Sequence, residues 1–153
     1  MTDVEIRLAK LRDVSEIALI LSQDTVGGHS DSSDPADLPL YVAAFERIAA
    51  SPSDALYVAV SEHQVVGTFQ TTLTTSMSGK GEASLTIRTV HTRSDMRGKG
   101  IGQMMLIHAI GQAWADGAAM VQLMSNAARP DAHRFYERLG FVASHVGFKM
   151  KLT

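Results

Sequence analysis

Apolar and charged side chains alternate from Val4 to Leu8, the period-two pattern of a half-buried strand. At Asp13 the period lengthens. Val14, Ile17, Ala18 and Leu21 recur at i, i+3, i+4 and i+7, with Asp13 as the cap and Glu16 three residues later in a capping-box arrangement, so a first helix is predicted. Residues 22–34 lack any apolar rhythm and are rich in Gly, Ser and Asp, which predicts a long loop available for substrate contacts. A second helix follows. Pro35 and Pro39 are tolerated in or before its first turn, and Leu38, Val42, Phe45 and Ala49 form its stripe up to Ser51-Pro52.

Leu56, Val58 and Val60 mark a strand, Glu62-His63-Gln64 a tight turn, and Val65 to Thr74 an antiparallel partner rich in Val, Phe and Thr. Ser78-Gly79-Lys80-Gly81 supplies the next turn, and Ala83 to Thr92 completes a meander. Ile101 to Trp114 is apolar on nearly every side, with Leu106, Ile110, Ala113 and Gly117 on one stripe, which predicts a sandwiched helix ended by Gly117. Ala119, Val121 and Leu123 form a short strand. Pro130 opens a helix whose apolar face is Ala132, Phe135, Tyr136 and Leu139, with Gly140 just past its end, and two short strands are predicted around Phe141–Ala143 and Phe148–Met150. The expected order is β-α-α-β-β-β-α-β-α-β-β, an α+β (mixed α/β) class in a single domain over residues 1–153.

Composition narrows the chemistry. With 45% hydrophobic and 20% charged residues over 153 positions, the chain can bury a core without staples. The absence of cysteine removes disulfides, thiolate metal sites and a cysteine nucleophile. Fourteen Lys and Arg against sixteen Asp and Glu leave a net charge of −2, so no nucleic-acid partner is expected and any anion site must be local. No apolar run approaches the ~18 residues of a membrane span, which predicts no membrane partner and a cytoplasmic protein. The six histidines lack metal-ligand spacing, so no metal is expected.

One stretch concentrates backbone freedom and positive charge: Met96-Arg97-Gly98-Lys99-Gly100-Ile101-Gly102 runs from the third meander strand into the buried helix. Amides at a helix N-terminus have no internal partner and sit at the positive end of the dipole. Glycines there let phosphate oxygens approach the main chain, while Arg97 and Lys99 add charge-assisted contacts. A pyrophosphate fits best; the plainer alternative is a sharp turn with solvated cations. A P-loop is excluded because Lys99 is followed by Gly100 rather than Ser or Thr, and a dinucleotide fingerprint is weak because Gln103 stands where it needs glycine.

Arg97-Gly98-Lys99-Gly100-Ile101-Gly102 resembles the acyl-CoA signature of the GNAT N-acetyltransferase superfamily. Ala132 to Phe141 is similar to its second signature, the helix ending Phe-Tyr-x-x-Leu-Gly-Phe, about thirty residues further on. The resemblance implies a central, mostly antiparallel twisted sheet of six to seven strands with about four helices on both faces. It also implies an acyl-CoA-dependent N-acyltransferase, moving acetyl from acetyl-CoA, as cosubstrate, to a primary amine of a small molecule or protein by direct attack. Residues 98 to 102 take the pyrophosphate, main-chain groups of Val90, His91 and Thr92 take the pantetheine arm where the fourth and fifth strands splay, and Tyr136 assists the departing thiolate. Phe135 and His133 join the cofactor-binding helix, and Arg134 and Arg138 are either phosphate contacts or solvated surface cations.

Two departures qualify the match. Arg88 stands where relatives often carry a glutamate base, and an arginine cannot accept a proton; Arg88 then holds an acidic group of the substrate or bonds structurally, with Glu82 and His91 as reserve bases. Arg129 replaces the superfamily's frequent asparagine, and Asn126 is offered in its stead for the cofactor contact. The missing glutamate keeps open a catalytically weak acyl-CoA-binding or sensor module. Asp31, Asp34 and Asp37 could draw in a cationic amine, and the superfamily's exchange of late strands makes a homodimer compatible with the sequence.

Overall fold

The meander reads directly into the sheet. In the computed structural model, which describes residues 3–26 and 30–153, β1 (Glu5–Leu8), β2 (Asp54–Ser61), β3 (Gln64–Thr75), β4 (Ala83–Thr92) and β5 (Met120–Leu123) lie side by side in chain order. The first three pairings are antiparallel and the last, β4 with β5, is parallel. Gly27, Gly28 and His29 of the predicted loop lie outside the described residues. Glu62 and His63, both at positive φ (51° and 65°), make the two-residue β2–β3 connection, the hand that matches strand twist.

Strand alternation divides the core between the two faces of the sheet. Tyr57, Ala59, Val66, Phe69 and Ile87 pack against Ile101, Met105, Leu106 and Ala109 of α4 (Ile101–Ala115, numbered after the elements below). Val58 and Val65 pack on the other face against Ile17 and Ile20 of α1 (Val14–Ser22). Fully burying a side chain the size of Phe69 or Leu106 contributes roughly 1.5–3 kcal/mol. α2 (Leu38–Ala50) half-buries Leu38, Val42 and Phe45 while Ala49 is exposed. α3 (Ser78–Gly81) is a single turn with Gly79 and Lys80 left-handed, in place of the predicted tight turn. α5 (Pro130–Arg138) half-buries Ala132, Phe135 and Tyr136 as the spacing requires, with Leu139 just past its end. The left-handed Gly117 and Gly140 follow α4 and α5, where the amides of Ala118 and Phe141 reach back to Ala113 and Tyr136 carbonyls at 3.0 and 3.1 Å.

Three expectations are corrected. Among the described residues the sheet has five strands rather than six or seven, because residues 141–153 form none. Alternation confers strand propensity, but a strand exists only through a ladder partner, and no backbone bond joins residues 142–153 to the other described residues. Val142, Val146, Phe148, Met150 and Leu152 are 79–92% exposed as a result. α4 is not sandwiched: Ile107 and Trp114 face solvent at 54% and 80%, and the buried stripe is Ile101, Met105, Leu106, Ala109 and Ala113. Asp13 and Glu16 form no capping box, for Asp13 accepts from the Lys10 amide and from Arg7, and Glu16 accepts from the Val65 amide at 3.0 Å. Among the described residues no helix is long and apolar enough to cross a membrane.

Candidate active site

The site begins with an irregularity in β4. Thr68 pairs with His91 and Gln70 with Arg88, so Phe69 faces two residues, Thr89 and Val90, and Thr89 takes the extra place at φ 52°. Such a bulge bends its strand. β4 and β5 remain paired from Ser84 and Met120 to Ile87 and Leu123, and the ladder stops there, immediately before the bulge. Beyond it, Val90, His91 and Thr92 carry β4 past the end of its ladder with β5, where the edge of a strand can meet an amide-bearing ligand.

β4 runs through a 3-10 turn at Ser94–Met96 into Gly98 and Gly100, both left-handed at φ 77° and 82°. Gly100 is the residue before α4, and the bond from the Met104 amide to its carbonyl, 3.1 Å, opens the helical ladder. The Gly102 and Gln103 amides thus have no partner inside the helix. A side chain built on Gly98 or Gly100 would meet nothing within 4 Å, so the space above both is open. Arg97 and Lys99 are exposed beside it, Lys99 Nζ lying 3.7 Å from Met96 Sδ. Open backbone donors, two left-handed glycines and two cations at a helix start suit a diphosphate, and the residues present fit the phosphate end of an acyl-CoA.

α5 closes the other side. Phe135 Cζ lies 3.7 Å from where a Gly102 side chain would begin, which docks α5 on the first turn of α4. The Tyr136 ring meets Phe135 at a tilt and Phe141 edge to face, at centroid distances of 5.4 and 6.1 Å. Burial pushes its phenol above the usual value, and the charge of Arg129 works against that rise. A phenol so placed is a better hydrogen-bond donor to a developing thiolate than a free acid.

Arg129, just before α5, is an ion-pair partner rather than an exposed cation. Its guanidinium donates to Asp24 Oδ1 at 2.5 Å, across 105 residues of chain, and the Val26 amide donates to the same oxygen at 3.1 Å. Asp24 Oδ2 is buried and has no partner among the described residues. Burial would raise this carboxyl, but the bonds from Arg129 and Val26 and the charges of Arg129 and His91 more than offset that and hold it below the ordinary carboxylate range. Sequence reasoning passed over Asp24; the one signal was Arg129 in an asparagine's place, which asked for an anion.

The remaining candidates scatter. Asn126 Oδ1 accepts from the Ala128 amide at 2.9 Å, the work of a turn former, and its carbonyl lies 2.9 Å from His133 Nε2. Arg134 pairs with Asp131 on the helix surface, and Arg138 is exposed. Arg88 is exposed next to the bulge, with Asp54 within reach of its charge. Glu82 stands at the opposite end of β4, roughly 25 Å from Val90 at the rise of a strand, so it cannot serve as a base here. Asp31 accepts from the Tyr41 hydroxyl at 2.7 Å and Asp34 caps the turn before α2, structural work for both.

The geometry has counterparts. Residues 52–143 match the family of the acetyltransferase (GNAT) domain. The crystal structure of a transcriptional regulator from Bacillus halodurans C-125 is 37% identical, with TM-score 0.94 over 98% of this chain and 100% of that one. An aminoglycoside N-acetyltransferase solved in complex with CoA shares the fold at 12% identity, TM-score 0.79, over 100% of this chain and 97% of that one. The aminoalkylphosphonate N-acetyltransferase of Salmonella typhimurium (strain LT2) is 44% identical over 57 residues, so the match spans only 37% of either chain. With a matching domain over most of its length and the forked strands and glycine-rich helix start in place, the chain belongs to the GNAT acetyltransferase family.

Proposed function

We propose that the protein is an N-acetyltransferase that takes acetyl from acetyl-CoA and transfers it to a primary amine of a small molecule or protein by direct attack. The observation that carries this reading is the open amide cluster at Gly98–Gln103 beside the β4–β5 fork, with Tyr136 on the adjoining helix. The Salmonella relative's action on aminoalkylphosphonates supports a small amine that also bears an acid, with exposed Arg88 as the group to hold it. The CoA-bound structural neighbour supports the cosubstrate. A second reading, an acyl-CoA sensor without turnover, draws on the regulator from Bacillus halodurans and on Arg88 in a base's place.

Acetyl-CoA at a hundredfold excess over Kd is expected to stabilise the fold by about 2.7 kcal/mol, a rise of several degrees in Tm. Gly100→Asp removes that rise. Aspartate tolerates the left-handed conformation better than most residues and meets no neighbour there, so the variant keeps its fold while placing a carboxylate in the anion site. An unchanged acetyl-CoA response in that variant, or none in the wild type, overturns the reading. Acetylation of an amine panel headed by 2-aminoethylphosphonate separates enzyme from sensor.

A homodimer belongs to the same proposal, supported by the exposed apolar side chains of residues 142–152, which a second copy could cover. Light scattering should return twice the chain mass, and a one-chain mass removes it.

A further inference from the structure

We propose that Asp24 binds the acceptor: its Oδ2 takes an N–H hydrogen bond from the primary amine that attacks the thioester. This rests on the acetyl-transfer reading above and supplies the acid that position 88 lacks.

The Asp24 side chain is 5% exposed, yet its two oxygens are used unequally. Oδ1 receives both the Arg129 guanidinium, at 2.5 Å, and the Val26 amide, at 3.1 Å, whereas Oδ2 receives nothing from the described residues. A carboxylate offers acceptor sites on both oxygens, and a buried one left half-used is rare enough to need a reason. Its surroundings supply one. The charged groups that face it are Arg129, from the turn before α5, and His91, the second residue past the β4 bulge. The same Arg129 acts on Tyr136. The Arg129–Asp24 bond thus joins the residues just past α1 to the residue that precedes α5, the helix carrying Tyr136, and His91 of β4 adds its charge to the same carboxylate.

Because Arg129 and His91 keep the carboxyl ionised, it is a weak base and a strong partner for positive charge. Its effect is to orient the nitrogen and to stabilise the charge that develops there as the amine attacks. The nitrogen lone pair forms the new bond to the carbonyl carbon, and the carbon–sulfur bond breaks with its electron pair on sulfur. The Tyr136 phenol donates a hydrogen bond to that sulfur as it leaves, and the thiolate takes its proton from solvent. The nitrogen then sheds its proton to solvent, and Asp24 Oδ2 holds the positive charge until it does.

The test compares Asp24→Asn and Arg129→Gln with wild type, using 2-aminoethylphosphonate and butylamine as acceptors. Asp24→Asn is expected to lower kcat/KM for the amine a hundredfold or more while the acetyl-CoA-induced rise in Tm is retained. Arg129→Gln leaves the carboxylate in place, so it loses less, and the acid limb of its pH–rate profile moves to higher pH because burial of Asp24 is no longer offset by that cation. A purely structural ion pair predicts instead that both variants lose equally and lose stability together; that result, or Asp24→Asn within threefold of wild type, overturns the proposal. Apart from turnover, butylamine titrated into CoA-saturated protein should move the Asp24 carboxyl carbon resonance, and a resonance that stays put overturns it as well. Failure of the acetyl-transfer reading shows elsewhere, as a wild type whose Tm ignores acetyl-CoA.

Discussion

Asp13 and Asp24 are the same residue in nearly the same degree of burial, with side chains 4% and 5% exposed and an arginine bound to each. They differ in how completely they are used. Arg7 grips Asp13 with both nitrogens, at 2.7 and 3.1 Å, and the Lys10 amide adds a third donor at 2.7 Å, so both oxygens are engaged. Asp24 has its two donors on one oxygen and, among the described residues, none on the other. A cleft of about 410 Å³ opens beside Asp13, but its Arg7, Asp13 and Glu16 are occupied with one another or with backbone. A satisfied buried carboxylate holds a structure together; an unsatisfied one keeps a hydrogen bond in reserve for something that arrives.

The largest effect expected from this contrast is on stability at Asp13. Asp13→Ala strands the Arg7 guanidinium and the Lys10 amide, and breaking a largely buried pair costs about 3–5 kcal/mol. Thermal unfolding should register a loss of roughly ten degrees. Equal stability in this variant would show that burial and pairing do not distinguish the two sites. Asp24→Asn comes next and should cost less than about 1.5 kcal/mol, since asparagine keeps a carbonyl for Arg129 and Val26 and removes an incompletely solvated charge; its damage belongs to turnover. A stability loss matching that at Asp13 would make Asp24 a structural residue.

The smallest effect lies in the acid limb. In the folded chain burial raises both carboxyls, and hydrogen bonds from Arg7 or Arg129 outweigh it, leaving both below their ordinary values. The folded state then binds fewer protons than the unfolded chain near pH 4, so this stability is complete above about pH 3.9 and fades as pH falls through the folded values. Wild-type Tm should decline below about pH 4, and the decline should be shallower in Asp13→Ala. Parallel acid limbs would contradict the assignment.

Legibility followed the range of the interactions. The meander, α1, α4 and α5 were readable because period, turn residues and C-terminal glycines act within a few positions: Ala83–Thr92 is β4 as expected, and Gly117 and Gly140 end their helices. The Gly98–Gly102 turn was readable for the same reason. The terminal strands around Phe141–Ala143 and Phe148–Met150 failed because alternation states a preference without naming a partner. The β4 bulge was hidden because its left-handed residue is Thr89, a residue type that carries no such signal. Asn126 read as a cofactor contact and Glu82 as a base, but one closes its own turn and the other stands at the far end of its strand.

What the sequence determined by itself was the glycine-rich start of α4 and the helix that carries Tyr136, because glycines, caps and helical faces are specified by neighbouring residues. What only the tertiary structure decided was which buried carboxylate keeps an unused oxygen next to Arg129. Asp24 meets Arg129 across 105 residues, and its spare oxygen exists only because the chain just past α1 is brought against the residue before α5. No local pattern encodes such a meeting, since it is burial and the geometry of distant elements that leave one oxygen filled and the other waiting.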